Sequence, residues 1–144
     1  MQFIILAGEF SVHRFGPAIV PAVDFGAEDL FCLAKTSDEV SVVCRSGLLR
    51  GADRTEDGWI AFKIEGPLDF GLVGVLAEAS ALLAKAGVSI FAISTFDTDY
   101  LLVKRENARA AREALERGGH SVKIPSDAEP SPDCKGVWDR EKKA

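Results

Sequence analysis

The sequence is poor in the residues on which chemistry is most often built. Its 144 residues hold three cysteines, Cys32, Cys44 and Cys134, and two histidines, His13 and His120. No Cys-x-x-Cys pair exists and neither histidine stands near a cysteine, which argues against a metal site. Cys32 and Cys44 fall inside apolar runs, where a reduced thiol serves as a small core side chain. A G-x-G-x-x-G fingerprint, the Lys-Ser/Thr pair of a P-loop and a Gly-x-Ser-x-Gly elbow are all missing, so dinucleotide binding, phosphoryl transfer and acyl transfer lack their parts. No catalytic constellation, cofactor or metal is expected, and the histidines read as ordinary strand residues. Positive charge is also short: the formal charge is −5 and the isoelectric point near 5.1, a balance that gathers no phosphate backbone and makes nucleic acid a poor partner. The apolar opening has no basic residues before it and Glu9 interrupts it far short of a membrane span, so a soluble, cytoplasmic protein without a membrane partner is expected. What the chain does have is a hydrophobic content of 47%, enough for the core of one ordinary domain or two small ones.

The second half carries the cleaner pattern. Residues 59–64 alternate, with Ile60, Phe62 and Ile64 on one face, as a half-buried strand requires. Leu72, Val75, Leu76, Ala79, Leu82, Leu83 and Ala86 then recur at helical spacing until Gly87. Residues 88–94 and 100–104 read as strands joined by a turn at 96–99. Ala108, Ala111, Ala114 and Leu115 trace a second helix, with Arg109/Glu113 and Arg112/Glu116 paired four apart, and Gly118 and Gly119 end it before a short strand at 120–124. The order β-α-β-β-α-β predicts an α+β, ferredoxin-like module with an antiparallel sheet, whose core includes Phe62, Ile64, Leu76, Leu83, Ile90, Leu102 and Leu115.

The first half echoes the second. At an offset of 60, Phe31/Phe91, Val43/Val103 and Arg45/Arg105 coincide and Glu39 falls on Asp99, which suggests a duplicated hairpin. Residues 3–15 read as one long or bent strand, and "FGPAIVPAVDFG" as an irregular stand-in for a helix. Two tandem modules are therefore expected, a degenerate one at 1–58 and a complete one at 59–125, followed by a loosely held polar tail at 126–144.

Two stretches could carry a function. In "EGPLDFGLVGVL", the connection from strand to helix leaves backbone N–H groups that attract anions; Gly66, Gly71 and Gly74 would let a carboxylate approach, and Asp69 suits the N-cap. On pattern alone the plain turn is preferred. In "STFDTD", Asp97 and Asp99 beside Thr95 could accept bonds from a cationic group. The alternative is a turn held by side chain to backbone bonds, preferred for Asp97 and open for Asp99.

The run "KIEGPLDFGLVGVLAEASALLAKAGVSIFAISTFDTDYLLVK" resembles the ACT domain, in a bacterial group of short tandem ACT proteins related to the ACT modules of aspartate kinases and of the animal cytosolic arginine sensors. "FSVHRF" and "AKTSDEVSVVCR" resemble the first, degenerate module of that group. The resemblance covers residues 3–124 and is strongest over 59–105. It implies a regulatory, non-catalytic protein that binds an amino acid where the strand-to-helix loop of one ACT module faces the hairpin of another. Gly71, Gly74, Thr95, Phe96 and Asp99 carry over from that site, and Glu65, Leu68 and Asp69 are neighbours by position. With two modules rather than the four of the arginine sensors, an equivalent site needs a second copy of the chain, hence a homodimer, besides any regulated protein. The rival expectations are an interaction or oligomerisation scaffold that binds no ligand and, less economically, an enzyme using residues read here as structural.

Overall fold

The computed structural model describes residues 1–66 and 73–124. The chain divides into two compact units, Gly8–Trp59 and Met1–Ala7 with Ile60–Ala144. The expected first module, 1–58, thus gives up its opening residues to the second. The run read as one strand from 3 to 15 is in fact two, β1 (Gln2–Ile5) and β2 (Phe10–Phe15). Gly8 lies between them at φ 80, a backbone conformation that glycine adopts without a Cβ clash.

The larger unit contains β1, the second part of β5 (Arg54–Ile64), α1 (Val75–Lys85), β6 (Phe91–Ser94), β7 (Asp99–Lys104), α2 (Ala108–Arg117) and β8 (Ser121–Lys123). Its strands run β8-β1-β5-β7-β6. That is the strand order of a ferredoxin-like module with β1 inserted between the first and last strands. β1 pairs antiparallel with β5, Phe3 facing Ile64 and Ile5 facing Phe62, and parallel with β8, Phe3 facing Val122. Alternation makes the insertion favourable: Phe3 and Ile5 are both fully buried and join Phe62, Ile64, Leu83, Leu101, Val103 and Leu115 in one core. Of the expected core, Leu76 and Ile90 pack against this cluster as partly buried residues. Leu102 is buried too, but strand alternation turns it to the face of β7 opposite Leu101 and Val103.

Both helices end alike. After α1, Gly87 N–H bonds to Ala84 O and Val88 N–H to Leu83 O; after α2, Gly119 N–H bonds to Glu116 O and His120 N–H to Leu115 O. These are Schellman pairings, with Gly87 at φ 74 and Gly119 at φ 91 in the left-handed position.

The smaller unit is a sheet ordered β3-β4-β2-β5, with β3 at Cys32–Lys35, β4 at Val40–Arg45 and residues 54–59 of β5. Its strands follow the order of the larger unit, but no helix forms among its described residues. Pro17 and Pro21, in the segment between β2 and β3, remove the N–H groups a helix there would need. The two hairpins do correspond, at an offset of 59 rather than 60: β3 and β4 begin at residues 32 and 40, β6 and β7 at 91 and 99. Thr36 N–H bonds to Glu39 O as Thr95 N–H bonds to Thr98 O. Glu39 is therefore the counterpart of Thr98, not of Asp99.

Candidate functional site

The hairpin between β6 and β7 is closed by Thr95. Its Oγ1 donates to the Thr98 carbonyl at 3.0 Å and accepts from Thr98 N–H at 3.3 Å, while its own N–H bonds to the same carbonyl at 2.8 Å. The threonine hydroxyl thus does what was expected of the aspartates. Thr36 repeats the device in the other hairpin, accepting from the N–H groups of Asp38 and Glu39 at 3.1 Å each. A second bond anchors the turn: Thr98, almost fully buried, donates its hydroxyl to Ile64 O at 2.5 Å. The end of β5 and the tip of the hairpin thereby become one rim.

Against that rim lies an open concavity of about 310 Å³, lined by Lys63, Gly66, Thr95, Asp97, Thr98 and Tyr100. The Lys63 ammonium stands 6.0 Å from the centre of the Tyr100 ring, within reach of a cation–π attraction. Its lining thus includes a cation, Lys63, and an exposed carboxylate, Asp97. Lys63, Thr98 and Tyr100 were not anticipated as site residues. The available signal was the outward position of Lys63 between Phe62 and Ile64, on a strand that a ferredoxin-like order places beside β7.

The expected residues are spread more widely. Thr95 lines the concavity, and Phe96, at the tip, is 80% exposed. Asp99, half-buried and paired with Ser94, shares the face of Leu101 and Val103, opposite Thr98 and Tyr100. Glu65 is exposed and its N–H is bonded to Gln2 O at 2.8 Å. Leu68, Asp69 and Gly71 lie outside the described residues. The N-cap of α1 is Gly74 rather than Asp69, at φ 83 and with no side-chain cap bond. A Cβ on Gly74 would meet nothing within 4 Å, so this glycine serves the backbone conformation and not a close approach. Beside it Val73 is 95% exposed.

The other reactive side chains are held structurally. Cys44 is fully buried, and burial, helped by the Glu28 carboxylate, pushes its thiol up to about 11; burial also raises Cys32. A thiol so held is a poor nucleophile. Cys134 lies outside the described residues. His13, on β2, is buried with Nδ1 3.1 Å from Thr55 Oγ1 and no partner for Nε2. Desolvation lowers its pKa, opposed by the Asp57 charge. His120 precedes β8, with Nε2 3.3 Å from a Glu78 oxygen and its ring edge-on to Phe3. No cluster of metal-ligating side chains occurs among the described residues, and no helix there is long and apolar enough to cross a membrane.

Comparison with known proteins gives the frame. Residues 54–117 match the family model described as ACT domain. Protein Atu0741 from Agobacterium tumefaciens has a similar structure, with a TM-score of 0.80 and 30% identity over 90% of this chain and 97% of that one. The regulatory subunit of aspartate kinase from Thermus flavus is similar at TM-score 0.57 and 11% identity, covering 83% of this chain and 97% of that one. Aspartate kinase from Synechocystis gives 0.62 and 20%, covering 91% of this chain and 29% of that one. These last two likenesses speak to the fold alone. No curated protein matches the sequence.

Proposed function

The chain belongs to the ACT domain family, and from that premise we propose that it is a non-catalytic regulatory protein that binds a small amino acid at an interface between ACT modules of two copies. One observation carries this reading. The concavity at the hairpin rim is lined by the Lys63 ammonium and the Asp97 carboxylate, opposite charges matching the carboxylate and ammonium of a zwitterion. Thr95 and Phe96 serve as walls. From the second copy, Glu65 and Gly74 flank the strand-to-helix connection to which Leu68, Asp69 and Gly71 belong by sequence, and the start of α1 there would favour a carboxylate by about 0.3–1 kcal/mol. Asp99 offers a further acceptor for a cationic group on the helix side of the sheet. The exposed rings and methyls of Phe96 and Val73 suit contact between copies, and they equally suit a scaffold that assembles without ligand.

A thermal-shift screen of the amino acids separates the two, since a ligand at one hundred times its Kd stabilises the fold by about 2.7 kcal/mol. A shift with one amino acid, weakened by both Asp97→Asn and Asp99→Asn in calorimetry and accompanied by dimer in sedimentation, is the expected result. No shift with any amino acid leaves the scaffold as the better reading, and turnover of a candidate ligand would revive an enzyme.

A further inference from the structure

A second hollow, of about 510 Å³, lies wholly in the smaller unit. It exists because that unit has the strands of a ferredoxin-like module without its helices. Two irregular segments, 16–31 between β2 and β3 and 46–53 between β4 and β5, stand in the chain where the larger unit has α1 and α2. They cover the sheet incompletely. Phe15 and Leu49, both buried members of the core that also holds Val40, Val42 and Cys44, line the hollow. Ile19, half-exposed, belongs to its wall on the first segment and Leu48 to its wall on the second. Charges on the second segment are unequal in availability. Asp53 is 3.7 Å from the Arg14 guanidinium, whereas exposed Arg50 enters no ion pair among the described residues.

We propose that this hollow is a small-molecule site separate from the hairpin rim, taking a monocarboxylate with a branched or aromatic apolar body. Its volume falls within the range of ligand pockets, about 300–1,000 Å³. The apolar body packs on Phe15, Leu49 and Ile19, and the carboxylate meets Arg50, whose planar fork suits bidentate recognition. The same chemistry is offered by an apolar α-amino acid and by its 2-oxo acid. Asp53 distinguishes them: already paired with Arg14, it is a weak acceptor for an ammonium group, so the oxo acid should bind at least as well.

The test is amide NMR titration of the full chain with leucine, phenylalanine, 4-methyl-2-oxopentanoate and phenylpyruvate. Shift changes are expected at Ile19 and at 48–51, with Thr95 to Asp99 unmoved by the oxo acids. Arg50→Gln, a change at an exposed side chain, should weaken binding about tenfold, and Ala22→Trp should abolish it by filling the space. Absence of shifts at these residues with all four probes overturns the proposal. So does a response that Arg50→Gln leaves unchanged, or one confined to the hairpin rim. Because the readout is by residue, failure here leaves the reading of the rim standing, and the reverse holds too.

Discussion

Replacing Thr98 with valine removes one hydroxyl at nearly constant shape, and the structure says what that hydroxyl is for. Along β5, Ala61 O accepts from Leu6 N–H at 2.9 Å and Glu65 N–H donates to Gln2 O at 2.8 Å, so both residues turn their polar groups toward β1. By alternation Ile64 turns its own to the opposite edge, the side of β7. There the Thr98 hydroxyl meets the Ile64 carbonyl. Valine leaves that carbonyl short of a donor in a place closed to water. Such a loss costs about 1–3 kcal/mol, against about 0.5–1.5 kcal/mol for the net worth of an ordinary bond, so Thr98→Val should destabilise by about 1–2 kcal/mol. With a urea slope near 2 kcal/mol/M, the midpoint falls by about 0.5–1 M. Thr98→Ser keeps the hydroxyl and should recover most of the loss. Hydrogen exchange localises the effect: the Thr95 amide should exchange faster in Thr98→Val, while the Val88 amide, held by the α1 cap, keeps its local protection. An unchanged midpoint with unchanged exchange at Thr95, or a serine variant as damaged as the valine one, refutes the reasoning.

His13 titrates below its ordinary value of about 6.5 because burial disfavours the imidazolium. The unfolded chain therefore takes up this proton first, and stability present at neutral pH is lost as pH falls from about 6.5 through the folded-state value; His13→Gln should flatten that slope in urea midpoints measured across the window. Cys44, pushed up to about 11 by burial, should resist a thiol reagent at mildly alkaline pH in the folded protein and react once urea unfolds it; rapid native-state labelling of Cys44 would contradict its placement.

Much of the larger unit was legible because its signals agree across levels. The apolar spacing of Leu76, Ala79 and Leu83 and the glycine at 87 fix α1 and its end, and Ala108, Ala111 and Leu115 do the same for α2. The insertion of β1 was not legible, since Phe3 and Ile5 bury one face of their strand as His13 and Phe15 bury one face of β2, and nothing local says which sheet receives a strand. Gly8 was the punctuation that residues 3–15 in fact contained. The repeat shows a different limit. Matching residue types gave an offset of 60, whereas the hydrogen bonds of Thr36 and Thr95 require 59, and in a strand a slip of one residue exchanges the two faces.

That exchange of faces bears directly on the candidate site. "STFDTD" looks like one cluster of acceptors, yet alternation along β7 sends Asp99 to the side of Leu101 and Val103, and Thr98 to the side of Tyr100. Asp97, on the turn, joins Thr98 and Lys63 at the concavity. Six consecutive residues thus present two surfaces rather than one, and a molecule the size of an amino acid seated against Lys63 contacts only the first. The second surface, with Gly74 at the start of α1, is the one that the dimer proposed above would set against the rim of another copy. Asp97→Asn and Asp99→Asn therefore probe different faces. Equal losses of affinity from both would mean that the ligand spans an interface, while a loss from Asp97→Asn alone would confine it to the concavity of a single chain.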